Sequence, residues 1–410
     1  MPEFLQLLPP GEALEIFLRG LTHQVGAELV DTAEALGRVT AQAVQAPHNL
    51  PTFSRSTVDG YAVRAQDTYG ASESLPVYLP VVGEVLMGAT PQFKLAAAQC
   101  ALIHTGGMLP EGANAVVMLE QTQSTRPGEI EVLRDMAVGE NIIKVGEDVR
   151  QGEEVFKAGL RLRPSEIGGL MALGLTRLLA ARRPRVGILS SGDEVVPPDQ
   201  DISLGQVRDV NSYSLSALVE ASGGIPVRYG ILPDHESALR EAAVRALEQC
   251  DMVLITAGSS ASARDLTSQV IEALGRPGVL VHGVNIRPGK PTILAVCEGK
   301  PVIGLPGNPV SALVIARLFV TPAIEWLLGV RQPRPQAVVT ARLSLNIPSQ
   351  SGREDWTPVR LLGNPGSYTA EPVFGKSNMI FILARADGLV KIPAAATGLT
   401  SGDLVEVYLL

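Results

Sequence analysis

Three short loops, each of a composition that suits an anion, fall between Asp251 and Pro309. The first is Ala257-Gly-Ser-Ser-Ala-Ser-Ala263, followed by Arg264 and Asp265. It lies between a strand-length apolar run, Asp251-Met-Val-Leu-Ile-Thr256, and a segment with Leu266, Val270, Ile271 and Leu274 on one helical stripe, closed by Gly275. A strand, a loop of small residues such as Gly258 and Ser260, and a helix in that order leave backbone N–H groups uncapped at the helix start, where an anion can sit. The second loop, Asn285-Ile-Arg-Pro-Gly-Lys-Pro291, brings Arg287 and Lys290 together. The third, Gly304-Leu-Pro-Gly-Asn-Pro309, carries Pro306 in its turn and suits Asn308 to an N-cap with Pro309 at the first helical position. Glu194, Asp234 and Asp265 add carboxylates near the same strand ends. In outline this is a phosphate-handling site, and the outline names no reaction.

The elements that must position these loops alternate. From Arg185 the pattern is strand, helix, strand, helix: Val186–Leu189 running into Ser191-Gly-Asp-Glu194, a helix over 211–221, a strand over 227–232 and a helix over 235–249. Such alternation predicts a mostly parallel sheet with helices on both faces, and ligands of such sheets bind outside the carboxyl ends of the strands. Glu194, Asp234, the 257–265 loop and Pro306-Gly-Asn308 all fall at such ends. Upstream, residues 9–45 read as helical until 39–46 runs out as a strand, and 151–180 read as helical with Ser165 as an N-cap. Residues 76–134 read as short strands between Gly and Pro, with His104-Thr-Gly-Gly as the tightest turn. Arg55, Ser56, Thr57 and Asp59, taken alone, read as a capped turn. Residues after Pro335 are again short strands. The expected architecture is α/β multidomain: a doubly wound, mostly parallel α/β domain over 181–329, a discontinuous helical and extended linker domain over 1–45 and 145–180, and two β-rich domains over 46–144 and 330–410.

The totals narrow the classes. At 410 residues, two to four domains are expected, and 46% apolar against 19% charged residues implies a well-buried globular chain. A net charge of −8 argues against a nucleic-acid surface, so an anionic ligand must be drawn by local Arg and Lys. Cys100, Cys250 and Cys297 are scattered, which predicts neither a disulfide scaffold nor a zinc site and fits a reducing cytoplasm. No secretory leader and no run of about eighteen apolar residues is apparent, so no membrane association is expected.

Eight segments, in order and spacing, resemble the molybdopterin molybdenumtransferase family, that of MoeA and the gephyrin E-domain, over nearly the whole chain. They are Ser56-Thr-Val-Asp-Gly-Tyr-Ala-Val-Arg64, Thr105-Gly-Gly-Met-Leu-Pro-Glu-Gly112, Gly146-Glu-Asp148, Ser191-Gly-Asp-Glu194, Asp209-Val-Asn211, Asp265-Leu-Thr267, Arg287-Pro-Gly-Lys-Pro291 and Leu305-Pro-Gly-Asn-Pro309. The resemblance implies a cytoplasmic homodimer, with the discontinuous domain serving dimerisation. It implies that molybdopterin-AMP and molybdate meet between the 181–329 domain of one subunit and the 46–144 domain of the other. There AMP is cleaved off with Mg²⁺ and molybdenum is inserted into the dithiolene. Partners implied are the adenylyltransferase that supplies the substrate and the molybdoenzymes that receive the product. Carried over by position, the essential carboxylates fall on Asp59, Asp148, Glu194, Asp234 and Asp265, with Glu194 and Asp234 the choice for the metal. The ligand contacts fall on Thr105, Arg287, Lys290, Arg353 and Ser377, beside Gly258, Ser260, Pro306 and Asn308.

The chain departs from the family at two places. Much of the family carries Gly-Gly at the first two positions of the 257–263 loop and a third Gly further on, whereas here only Gly258 remains. Glycine lets backbone approach a phosphate closely, so Ala257 and Ser262 should narrow the cradle, while Ser259, Ser260 and Arg264 offer donors in exchange. Arg287 stands where Lys is usual. Two readings follow: a metal-inserting enzyme with an altered phosphate loop, favoured by the retained carboxylates, and a non-catalytic pterin-binding or scaffold relative, favoured by the altered loop. A third, adenylylation of molybdopterin, is disfavoured by the extra domains.

Overall fold

Residues of alternating parity along each strand enter two different cores. Val186, Ile188, Met252, Leu254, Leu294, Val296 and Ile303 join one, while Leu189, Val253, Ile255, Ile293, Ala295 and Val302 join the other. Successive side chains of a strand point to opposite faces, so both faces of this sheet are covered. The structure, a computed structural model, describes residues 7–256, 261–331, 333 and 335–410, and for 261–265 the backbone alone. It divides into two compact units, one of Met1–Ala41, Ala158–Arg163 and Leu178–Leu410, the other of Gln42–Lys157 and Pro164–Arg177.

In the first unit the sheet is built from β1 (Arg185–Ser191), α1 (Asn211–Ala221), β2 (Ile225–Leu232), α2 (Glu236–Gln249), β3 (Met252–Thr256), α3 (Ala261–Glu272), β4 (Pro277–His282), β5 (Ile293–Cys297), β6 (Lys300–Leu305) and α4 (Pro309–Ile315). The strand order is β2-β1-β3-β6-β5-β4, with the first four parallel and β5 antiparallel to both β6 and β4. The antiparallel step has a local cause. Glu298 and Gly299 join β5 to β6 with φ of 53° and 77°. Two positive values in a two-residue loop make a type I′ hairpin.

Leu215 and Val219 of α1 and the long helix beginning at α4 fill one core, while Leu239, Ala242, Ala243 and Ala246 of α2 and Val270 and Ile271 of α3 fill the other. From α4 the helix continues through a π-helical stretch, Ala316–Val320, into Thr321–Leu327. Among the described residues Pro309–Leu327 is the one helix long and apolar enough to cross a membrane, yet 61% of that stretch is buried inside the protein. It is the central core helix. Arg317 in the π-helical stretch donates to the Leu409 carbonyl, and burial pushes its guanidinium pKa down from the usual value.

The end of the chain forms a barrel of β7 (Val338–Leu343), β8 (Glu354–Leu362), β9 (Thr369–Pro372), β10 (Gly388–Ile392) and β11 (Leu404–Leu409). The order β8-β9-β7-β11-β10 closes through a direct β8–β10 pairing, which removes every edge of the ring. Its interior holds Val359, Ala370, Val390, Ile392 and Val407. Trp356, Ile382, Leu383 and Leu389 pack instead into the core of the α/β sheet. Ile286–Arg287 extends the barrel sheet by pairing in parallel with Glu354 and Asp355.

The second unit holds a six-stranded sheet in the order 115–118, 60–63, 100–103, 77–85, 129–132, 122–126. Gly60 is required there, because a Cβ would meet the Val117 carbonyl oxygen at 1.9 Å. Elsewhere the helical expectation for 9–45 is corrected. Only Pro10–Gly20 is α-helical, and Ala27–Asp31 is a strand paired with Arg177–Ala181. Long-range pairing overrides local propensity here. In 151–180 the helix is Pro164–Ala172, so Ser165 lies inside its first turn and is no N-cap.

Asp251 closes the amino end of the sheet. Its buried carboxylate accepts two bonds from Arg182, at 2.8 and 3.1 Å, one from the Arg185 N–H at 2.7 Å, and lies 2.9 Å from His23 Nε2. Desolvation raises its pKa, but the Arg182, His23 and Arg185 bonds together outweigh that and hold it below the ordinary carboxylate range. A depressed folded-state pKa contributes stability that is present above the unfolded value and lost as pH falls through the folded one. Asp251→Asn should therefore destabilise this unit at neutral pH by about 2–4 kcal/mol, since it leaves Arg182 without its counter-charge. In thermal denaturation the gap to wild type should narrow as pH drops below about 4. A gap constant with pH would show that the charge is not what Asp251 contributes.

Candidate anion-binding site

The carboxyl ends of β2, β1, β3 and β6 lie along one edge of the sheet, because these four strands are parallel neighbours. Beside the end of β6 is a cavity of about 720 Å³ in the first unit. The loop before β5 gives it Arg287 and Lys290, and the loop after β6 gives it Pro306 and Asn308. The barrel gives it Arg353, Asp355, Lys376 and Ser377. Among the described residues four cations against one carboxylate give the lining a charge of +3 (4 − 1), in a chain of net −8. Acceptor-rich oxyanions are what such a lining recognises.

Several constraints hold the lining in place. Gly289, between the two cations of its loop, has φ +116°, and a Cβ there would meet Ile315 Cγ1 at 2.3 Å. Only glycine lets the loop lie against α4. Asn308 stands at the N-cap of α4 with Pro309 at the first helical position, as its sequence suggests, but its side chain makes no cap bond. The Val310 N–H donates instead to the Ser377 carbonyl at 3.0 Å, and Asn308 Nδ2 donates to Ser377 Oγ at 3.1 Å. The barrel thus supplies the cap, which frees the Asn308 amide to tie the two loops together. Arg353 grips Asp355 through Nε at 2.7 Å and Nη2 at 3.1 Å.

Three family profiles match the chain: "MoeA N-terminal region (domain I and II)" over residues 8–174, "Probable molybdopterin binding domain" over 187–326, and "MoeA C-terminal region (domain IV)" over 340–410. The chain belongs to the MoeA family. It is similar to the molybdopterin molybdenumtransferase of Nostoc sp., at 34% identity over 95% of this chain and 90% of that one. It resembles that of Haemophilus influenzae at 32% identity over 95% and 98%. A solved structure titled as the molybdopterin biosynthesis MoeA protein of Pyrococcus horikoshii OT3 superposes with TM-score 0.86 at 33% identity, covering 99% of this chain and 100% of that one. An enzyme of the molybdenumtransferase type, working in molybdenum cofactor biosynthesis, is what this membership supports.

Of the residues expected from the sequence, this MoeA-family cavity gathers six: Arg287, Lys290, Pro306, Asn308, Arg353 and Ser377. Thr105 and Asp59 meet elsewhere, in the second unit. The Thr105 N–H donates to Asp59 Oδ1 at 2.8 Å and its Oγ1 at 3.2 Å, while His104 lies between Asp59, at 3.7 Å, and Glu84, at 3.1 Å. The Thr105 backbone bond is the main reason the Asp59 pKa lies below its ordinary value. Asp148, exposed in the same unit, donates its backbone N–H to Leu50. Glu194 is exposed at the end of β1, and Asp234 at the end of β2 receives its orientation from Asp193, whose Oδ1 accepts the Asp234 N–H at 3.2 Å. Gly258 and Ser260 lie outside the described residues, as does the Asp265 side chain. The helix expected to begin at Leu266 begins at Ala261, so Ala261, Ser262 and Ala263 belong to α3 and not to a loop. None of the three resists helix formation strongly.

Sequence reading missed Asp355 and Lys376. Asp355 had a legible signal, since it follows Arg353 by two residues at the start of a strand and can share its face. Lys376 had none, because its role depends on where the barrel places the 374–377 loop. Gly289→Ala should weaken anion binding at this cavity and destabilise the fold by about 1–3 kcal/mol, as expected for overpacking against Ile315. Isothermal titration with molybdate alongside thermal denaturation measures both. Wild-type binding in that variant would show that the loop's cations are not ligands.

Proposed function

We propose that the chain inserts molybdate into adenylylated molybdopterin with Mg²⁺-dependent release of AMP. The observation that carries this reading is the cation-lined cavity at the sheet edge, where Arg287, Lys290, Arg353 and Lys376 converge with Ser377 and Asn308. In this reading the cavity takes molybdate, a tetrahedral dianion, and the 181–329 domain binds the pterin. The chain works as a cytoplasmic homodimer through its 1–45 and 145–180 segments, with Asp59, Asp148 and Thr105 of the 46–144 domain and Asp265 completing the catalytic set. An adenylyl-transferring reaction must supply the substrate, and molybdoenzymes consume the product.

Magnesium fits the donor set at the ends of β1 and β2. Among the described residues Asp234 Oδ1 is buried without a hydrogen-bond partner, and a desolvated carboxylate oxygen is costly unless a cation meets it. Among the described residues no group of three or more His, Cys, Asp or Glu is arranged to hold a metal. Magnesium needs only one or two carboxylates when substrate phosphate and water complete its shell. Glu194 and Asp234 would hold it, and the ion would neutralise charge on the phosphoanhydride. The protein's own groups do the rest. Arg287, Lys290 and Arg353 draw and orient the oxyanion, Ser377 donates to it, and Asp193 fixes the backbone that aims Asp234.

Purified protein given molybdopterin-AMP, molybdate and Mg²⁺ should release AMP. Asp234→Asn should lower that rate roughly 100-fold with pterin binding retained, the scale of losing one electrostatic stabiliser of the transition state. Tight pterin binding without AMP release from wild type would favour the scaffold reading. Equal loss of binding and release in the variant would make Asp234 structural.

A further inference from the structure

Asp355 is the one carboxylate among the described residues lining the cavity, and it is only 4% exposed. Its Oδ1 accepts Arg353 Nε at 2.7 Å, and its Oδ2 accepts Arg353 Nη2 at 3.1 Å and Ser349 Oγ at 2.9 Å. Arg287 Nη1 stands 3.9 Å from Oδ2. A carboxylate has about four acceptor sites, and protein donors take three of them here. We propose that Asp355 is the positioning residue that sets the anion selectivity of this cavity. It locks the Arg353 guanidinium in one orientation, and three of its four acceptor sites are already engaged, so the cavity favours an oxyanion that only accepts hydrogen bonds over one that must also donate. The inference rests on the oxyanion role given to the cavity above.

The geometry has two consequences. The fork leaves Arg353 Nη1 and one proton of Nη2 for a ligand, in a fixed direction that a lone arginine would have to give up rotamer freedom to reach. The same bonds leave a protonated anion at most one acceptor site on the carboxylate that lines the cavity. Leaving a ligand's donor unpaired costs affinity. Sulfate and the hydrogen phosphate dianion make a clean pair of probes, because they share charge and shape and differ by one proton. Molybdate, with no proton, belongs with sulfate.

Wild type, Asp355→Asn, Asp355→Glu and Arg353→Lys are titrated calorimetrically at mildly alkaline pH with molybdate, sulfate and hydrogen phosphate, and melting is recorded for each. Wild type should prefer sulfate to hydrogen phosphate. Asp355→Asn should reduce that preference roughly tenfold, whichever way absolute affinity moves, because an amide neither forks the guanidinium as an ion pair nor lacks a donor. Asp355→Glu should restore part of it. Arg353→Lys, which keeps the charge but cannot be forked, should lose it as Asp355→Asn does, and it serves as the test should Asp355→Asn not fold. A wild type with no preference, or folded variants with an unchanged ratio, overturns the proposal. Wild type that binds no molybdate and releases no AMP fails at the functional reading instead. A merely structural Asp355 would move melting and leave the ratio alone.

Discussion

Gathering four cations around one cavity carries a repulsive cost that must be offset inside the protein before any ligand arrives. Asp355 offsets it. Buried charges persist when paired and hydrogen-bonded, and Asp355 meets both conditions through Arg353 and Ser349. It is also the residue through which the barrel and the sheet share one electrostatic unit, since Arg287 comes from the sheet side and pairs in parallel, by its backbone, with Asp355 of the barrel. The cation-lined cavity is therefore a product of the junction between these two parts, and neither part forms it alone.

That junction explains other features of the fold. The Ser377 carbonyl takes over the cap of α4 from Asn308. The Leu409 carbonyl receives Arg317 from the π-helical stretch of the same helix. Trp356 and Ile382 leave the barrel interior for the core of the sheet. Each contact fixes the long helix Pro309–Leu327 against the barrel, and the loop at its amino end is what presents Pro306 and Asn308 to the cavity. An apolar helix of this length is used here as a rigid spacer between two β structures, which accounts for its composition without a membrane.

The parallel half of the sheet and six of the cavity residues were legible because their signals are local. Strand and helix periodicities alternate from Arg185, and Arg287-Pro-Gly-Lys290 and Pro306-Gly-Asn308 carry their chemistry within a few residues. What was illegible depends on pairing across the chain. Ala27–Asp31 became a strand because Arg177–Ala181 lies beside it, and nothing within 9–45 announces that partner. The antiparallel turn at Glu298-Gly299 has only a glycine to signal it. Lys376 reads as one more surface lysine until the barrel closes.

The two carboxylates Asp355 and Asp234 show how the same side chain can be prepared for opposite work. Asp355 is buried with three of its acceptor sites taken by protein donors, so it acts mainly through the arginine it holds. Asp234 has a buried oxygen with no hydrogen-bond partner among the described residues, although its backbone is held by Asp193. A carboxylate so engaged shapes a field, whereas one with an unmet oxygen retains a capacity to meet a cation. Sequence cannot separate these states, since both are aspartates near the ends of strands. The distinction lies in which donors the fold brings within reach.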